Sequence, residues 1–283
     1  MSRVRRTIAL AACAAVVLTG SLAGAAARTA PAKSATVADT VPDAYGLDQL
    51  DAAVKGSQVS FFQRRTCAAV LSTLQAGQWT ISLFAKPQKG SQLYVGTMTY
   101  GERAAMLMMT GSGTSCSGTV TVDAEQPITS SGDLTASGTA KALTFYCHVG
   151  PDLNGTSMTD VVLTYIGMYR SASGAFIVMV NGPATVGTHK LVMDEDSGQG
   201  ITVLPVKPGL DALKAMTGFF GGMYSGDGYG EDTSGLVGMY GGGGTLAVTS
   251  AQPFAATVTG TNLTDQDHKS KHLSFTAGMG CDS

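Results

Sequence analysis

Beyond Gln78 apolar and polar residues alternate with a period of two, the mark of half-buried strands. Before it the apolar positions recur every three or four residues, the mark of helices. In 92–100 the alternation puts Tyr94, Met98 and Tyr100 on one face, and in 141–147 it puts Leu143, Phe145 and Cys147 together. The stretches 160–169 and 175–180 are rich in the β-branched and aromatic residues that pleated surfaces favour. Turn chemistry punctuates these runs at Gly111–Gly113, Ser131–Asp133, Asn154-Gly155, Asn181–Pro183 and Ser197-Gly198. The predicted fold class is mainly β, an antiparallel β-sandwich or barrel, with a short helical segment near the mature N-terminus. Leu47, Leu50 and Val54 suit a first helix. Phe61, Phe62, Cys67, Val70, Leu71 and Leu74 suit a second, although 58–63 also reads as a strand. A turn or two of helix is expected at Leu210–Met216. The run Gly241–Gly244 has no following lysine and lies between strand-like segments, so it reads as a flexible turn rather than a phosphate loop.

The β region also matches itself weakly. Gly118–Val122 followed by Gln126-Pro127 parallels Gly244–Val248 followed by Gln252-Pro253, and Leu143–Phe145 parallels Leu273–Phe275. Tyr100–Glu102 recurs as Tyr229–Glu231, and Gly46–Leu50 as Gly209–Leu213. These matches predict an internal duplication, with two similar β halves at about 90–150 and 215–283 inside one β-rich domain, 43–283.

The N-terminus changes the picture from fold to compartment. Arg3, Arg5 and Arg6 precede an apolar stretch from Ile8 to Leu18, and small residues lead to Ala25–Ala27. That order is the one a cleavable secretion signal needs, so 1–27 is expected to be removed after Ala27. The apolar stretch is shorter than the roughly 20 residues a spanning helix requires. Leu10–Cys13 looks like a lipoprotein box, but only three residues separate Arg6 from Leu10, too few for its apolar core. Residues 28–42 lack aromatic residues and periodicity and read as a flexible lead-in. No transmembrane segment is expected in the mature chain, which should be secreted, extracellular or loosely held at the cell envelope.

Without its leader the chain carries 15 basic and 20 acidic residues, a charge of −5. Its 13 % charged residues are about half the usual share. No basic patch is dense enough for nucleic acid. The low charge, with abundant Gly, Ala, Thr and Ser, resembles the style of exported proteins of high-GC Gram-positive bacteria. Cys13 leaves with the leader, and Cys67, Cys116, Cys147 and Cys281 remain as disulfide candidates. Four cysteines allow three pairings. Nearness in sequence favours Cys116–Cys147, which leaves Cys67–Cys281 to tie the start of the domain to its end. Wide spacings without CxxC argue against a zinc cluster.

Chemistry-bearing motifs are sparse. HExxH, GxSxG, SxxK and GxxxxGK[ST] are all missing. A dispersed triad needs no local motif, and His148, His189, His268 and His272 are the histidines that could serve it. His268 and His272, four apart with Asp265 and Asp267 nearby, have metal-ligand spacing, but adjacent Lys269 and Lys271 would repel a cation, so no metal is expected. Asp194–Asp196, and Asp227 with Glu231 and Asp232, lack the spacing of a calcium loop. Met106, Met108 and Met109, and Gly-Met-Tyr at 167–169, 222–224 and 238–240, suit core filling, with the glycines relieving strand crowding.

No catalytic residue and no cofactor is singled out. The leading expectation is an exported, non-catalytic β protein that binds an envelope polymer or protein. A carrier of a small apolar ligand in a Met- and aromatic-lined cavity is the second. A secreted hydrolase with a dispersed site is the third.

Overall fold

The computed structural model describes residues 58–76, 79–84, 93–111, 113–132, 134–151, 161–193, 199–224 and 234–281. The leader, the lead-in, the helix expected around Leu47–Val54, the acidic segments at 194–196 and 227–232, and the turns at 154–155 and 197–198 lie outside them.

The alternation beyond Gln78 does form strands, and they build two antiparallel sheets. Five strands make the smaller one: β1 (Gln58–Gln63), β2 (Thr80–Leu83), β3 (Tyr94–Tyr100), β4 (Arg103–Gly111) and β5 (Cys116–Val122). Their order is β1-β5-β4-β3-β2. Phe61 and Phe62 therefore belong to a strand rather than to the second helix, which is confined to α1 (Cys67–Ala76). The Thr66 hydroxyl caps α1 by accepting from the Ala69 amide at 3.2 Å. Cys67, Val70 and Leu74 recur at helical spacing and pack on one face of the sheet with Phe61, Trp79, Met98, Leu107 and Val120.

The larger sheet closes on itself. Its strands are β6 (Ala124–Ser131), β7 (Ala136–Pro151), β8 (Val161–Ser171), β9 (Gly174–Pro183), β10 (Gly187–Leu191), β11 (Gly200–Pro205), β12 (Tyr240–Gly242), β13 (Gly244–Ala251), β14 (Phe254–Asp265) and β15 (His272–Cys281). β12 and β13 line the same edge of β14, and β10 and β11 in turn pair along β13 and β12. Each of these couples acts as one interrupted strand. Counted so, eight strands follow one another in chain order around an up-and-down barrel, and β15 returns to pair with β6. The glycine run 241–244 is thus a break within a strand, not a turn. Asn181–Pro183 likewise stays in β9 and pairs with Thr164–Val162.

Eight strands enclose a space that side chains can just fill. Here Tyr165, Tyr169, Phe176, Tyr240, Phe254 and Phe275, each 1 % exposed or less, occupy it with Val178, Val203, Leu246, Val258 and Leu263. Gly167 makes room, since a Cβ there would collide with the ring of Tyr165. Outside the barrel lies a second apolar layer. Helix α2 (Ala212–Tyr224), longer than the turn or two expected, is capped by Asp211, whose Oδ1 accepts from the Leu213 amide at 2.9 Å. Its Leu213, Met216, Phe219 and Phe220 pack between the outer wall of β8, β9 and β11 (Ile166, Met168, Ile177, Leu204) and Phe84, Ala104 and Met106 of the small-sheet region. Phe84, Phe145 and Phe220 meet there with ring centroids 4.7–6.4 Å apart. A bulge between Thr144 and Tyr146 separates what simple alternation had joined. Leu143 and Phe145 face this outer layer, while Cys147 packs against the barrel interior.

The disulfides follow topology rather than sequence distance: Cys67 pairs with Cys116 and Cys147 with Cys281. The first ties the start of α1 to the start of β5. The second joins β7 to β15, the two neighbours of β6. Nearness misled here because Cys116 and Cys147 belong to different sheets. The segments matched as repeats also sit in different settings. Gly118–Val122 is in the small sheet and Gly244–Val248 in the barrel. Gln126-Pro127 lies within β6, while Gln252-Pro253 forms the turn between β13 and β14.

β6 leaves a problem at its start. Its ladder with β15 runs from Ser131↔Ser274 to Ile128↔Ala277, and the next residue, Pro127, has no N–H to donate. Hydroxyls from the other strands take over. Tyr169 donates to the Gly278 carbonyl at 2.9 Å, Thr144 to the Gly280 carbonyl at 3.3 Å, and the hydroxyls of Tyr165 and Tyr169 lie 3.2 Å apart. Burial pushes the ionisation of both tyrosines above the ordinary phenol value, that of Tyr169 well above, so both remain neutral donors.

Two truncations separate packing from satisfaction of these carbonyls. Phe275→Ala should lower unfolding stability by about 3–5 kcal/mol through the cavity it leaves. Tyr169→Phe should cost only about 1–2 kcal/mol, the penalty of an unpaired buried carbonyl. Urea unfolding of the two variants checks the order.

Candidate functional site

The residues singled out by type do not converge on a reaction centre. His148 lies on β7 opposite Thr164, and its Nε2 has no hydrogen-bond partner. His189 lies near Thr185, with Nε2 2.6 Å from the Thr185 carbonyl oxygen. His268 and His272 part company. His268 Nδ1 sits 3.5 Å from Oδ2 of the fully buried Asp265, whereas His272 Nδ1 lies 3.5 Å from the Thr264 hydroxyl. Asp265 Oδ1 accepts from the amides of Asp267 and His268 at 2.9 and 3.2 Å, so this carboxylate shapes the β14–β15 turn. Among the described residues no histidine joins a carboxylate on one side to a hydroxyl or thiol on the other, and no three His, Cys, Asp or Glu side chains converge as metal ligands.

Most methionines whose side chains are described are core material, whereas Met193 is exposed. Met106 and Met168 fill the layer around α2, Met109 packs under α1, and Met108 is half-exposed. None of them lines a barrel cavity. One small crevice of about 20 Å³ has room for a single water. It sits beside the start of β6 among Val122, Ala124, Gln126, Ala142, Thr144, Tyr165 and Gly280.

A cluster of charges sits at the joint where β5 runs into β6. Asp123, 6 % exposed, lies between the sheets. Arg170 of β8 donates to its Oδ2 at 2.8 Å, and Arg103 of β4 approaches Oδ1 at 3.6 Å. Lys141 of β7, paired with Glu102 at 3.2 Å, completes the cluster. Burial raises the Asp123 carboxyl above its ordinary value, and the attraction of Arg170, Arg103 and Lys141 offsets this only in part. The cluster fixes the angle at which β6 enters the barrel wall.

The wall that β6 enters is the most unusual surface of the molecule. Inward residues of β13, β14, β15 and β6 are mostly apolar, with Ser130 and Asp265 as buried polar exceptions, and most outward ones are small, many of them hydroxylated. One row crosses five neighbouring strands with a hydroxyl on each: Thr245 opposite Thr259, Thr259 opposite Thr276, Thr276 opposite Thr129, and Thr129 opposite Ser137. The Thr276 hydroxyl donates to that of Thr259 at 3.2 Å. Beside this row Ala247, Thr257 and Gly278 form a second, with Thr139 opposite Pro127 farther round. Charged or ionisable side chains appear only at the borders, as Lys190 opposite Thr245, the Glu125–Lys141 pair, and His272. An ordinary soluble surface carries charge at roughly a quarter to a third of its positions. Neighbouring strands lie about 4.8 Å apart, so the hydroxyls recur at that interval around the belt.

Sequence reasoning missed this belt, although its signal was present. Ala255–Gly260 and Leu273–Gly278 alternate apolar residues with Thr, Ser, Ala or Gly and never with Lys, Glu or Arg. Only the closure of the barrel puts those segments beside β6. Apolar inside and hydroxylated outside is the reverse of an outer-membrane barrel. Among the described residues no helix is long and apolar enough to cross a membrane. No protein-family model, curated protein or solved structure matches the chain.

The joint makes a pH-dependent prediction. Because the folded state raises the Asp123 carboxyl above the unfolded value of 3.8, folding takes up a proton as pH falls between the two values. Stability from this group is absent above the raised value and fully present below 3.8. Relative to Asp123→Asn, the wild type should therefore gain stability on acidification through that window. At neutral pH Asp123→Ala, which removes the carboxylate that Arg170 donates to at 2.8 Å, should cost about 2 kcal/mol. Urea midpoints across pH for the three proteins test both statements.

Proposed function

We propose that the chain is an exported, non-catalytic binding module that attaches to an uncharged polymer of the cell envelope through the hydroxyl belt. The observation that carries this reading is the unbroken row from Thr245 to Ser137, free of charge across five strands. A neutral hydroxylated surface offers donors and acceptors at regular intervals and repels nothing through desolvated charge. It complements a partner with the same chemistry, a polymer rich in hydroxyl and amide groups. The belt is convex, following more than half of an eight-stranded wall, so an extended chain laid along it makes more contact than a compact molecule would. The leader-like N-terminus and the two disulfides support an oxidising, exported setting.

The other two readings draw less support. A barrel interior filled by buried aromatic and aliphatic side chains leaves little space for an apolar cargo. The histidine settings described above supply no nucleophile–base–acid relay for a hydrolase.

Co-sedimentation of the mature protein with isolated cell-wall material tests the proposal. Saturable binding that changes little with added salt is expected, since the contact is uncharged. Thr259→Val and Thr276→Val keep the shape and strand preference but remove the hydroxyl, and each should weaken binding about fivefold. Retention that vanishes at high salt, or that ignores both variants, would place the contact elsewhere. No saturable retention at all would end the binding-module reading.

A further inference from the structure

Both flanks of β6 outrun it. β6 pairs with β7 only as far as Ala142 and with β15 only as far as Ala277, then bends away at Asp123 into the small sheet. Past those points β7 and β15 face each other across a seam, and among the described residues no backbone ladder joins them. Two side-chain links span it, Thr144 to Gly280 and the Cys147–Cys281 disulfide, whose Cα atoms are 6.3 Å apart, and Tyr169 of β8 reaches Gly278 of β15 beside them. The water-sized crevice beside Gln126, Thr144 and Tyr165 lies along the same seam.

We propose that Cys147–Cys281 is a redox latch on the barrel, whose reduction opens the seam while the small sheet stays folded. The two disulfides differ in access. Cys67, the first residue of α1, and Cys116 are 1 % and 0 % exposed, whereas Cys147 and Cys281 are only half-buried. A thiolate of a dithiol reductant attacks one sulfur of Cys147–Cys281. That S–S bond breaks as a mixed disulfide forms. The reductant's second thiol then displaces the attached cysteine sulfur. Two electrons and two protons end on Cys147 and Cys281, and the dithiol leaves as its cyclic disulfide. With the latch gone, two neutral hydroxyl contacts hold this part of the wall. Water gains a path to Tyr165 and Tyr169, whose buried hydroxyls lie 3.2 Å apart inside the barrel. β15 keeps its ladder with β14 along its whole length, so the wall parts on one side only.

The test is graded native reduction of the mature protein with dithiothreitol, quenched by iodoacetamide and mapped by peptide mass. Cys147 and Cys281 should be labelled about tenfold or more faster than Cys67 and Cys116. Hydrogen exchange should quicken at 144–147 and 278–281 in step with that labelling. Fluorescence of Trp79, the single tryptophan, which is buried under α1 in the small sheet, should hold steady. Equal labelling of the two pairs, or unchanged exchange at 278–281 after selective reduction, overturns the latch. A Cys147→Ser/Cys281→Ser variant should show the fast exchange without reductant. If that variant fails to fold, the wild-type reduction decides alone.

Discussion

A closed sheet must be closed somewhere, and in this barrel the closing contact is short. Four residue pairs, Ser274↔Ser131 to Ala277↔Ile128, complete the ring between its last strand and its first. The shortness has a cause in the chain. β6 is the continuation of β5, so the strand that shuts the barrel must also leave it to serve the small sheet. Much of what is chemically unusual in the molecule gathers around that divided duty. Asp123 and its arginines hold the bend, Pro127 ends the ladder, tyrosine and threonine hydroxyls accommodate the carbonyls left over, and a disulfide bridges the remaining gap.

The rest of the packing can be derived from the same constraint. A small sheet swung out at Asp123 exposes one face to α1 and turns the other toward the barrel wall, where bare apolar side chains on both sides need covering. Helix α2 fills that space, which explains why its Leu213, Met216, Phe219 and Phe220 meet neighbours from two sheets. The strands not reached by the small sheet or α2 keep an outer wall free of large side chains. The hydroxyl belt occupies that uncovered half of the barrel.

Period-two alternation with turn residues between runs was enough to read the mainly β class, and the positions of β3, β7, β8 and β9 followed within a few residues. Local chemistry also located α1, although it could not decide between helix and strand at Phe61 and Phe62. What alternation cannot express is a change of phase. The bulge after Thr144 turned Cys147 inward while Leu143 stayed outward, and no residue type announces it. Nor can it express adjacency between distant segments. Cys147 lies 134 residues from Cys281, yet the two meet because β6 stands between their strands and then departs. The expected Cys116–Cys147 pair used sequence distance as a proxy for spatial distance, and the boundary between two sheets falls between those cysteines. The belt was hidden for the same reason. Thr245, Thr259, Thr276, Thr129 and Ser137 form a row only after a register between five strands is set, and Thr129 and Ser137 lie more than a hundred residues before Thr245.

Polar chemistry in this chain is therefore sorted by physical role. Ion pairs with real desolvation are concentrated at the joint, where several elements must be held at one angle and where removing a partner leaves a buried charge. Neutral hydroxyls serve inside the barrel because a tyrosine or threonine can satisfy a carbonyl without bringing a charge into an apolar core. Neutral hydroxyls again cover the outer wall, but there no backbone group requires so many of them in register. An exposed strand face needs only polarity to stay in water, and Lys or Glu would supply it equally well. The absence of charge from the row Thr245–Thr259–Thr276–Thr129–Ser137 is thus a surface feature of the described residues that neither folding nor solubility explains. That is why the proposed binding function rests on the belt rather than on any histidine or carboxylate.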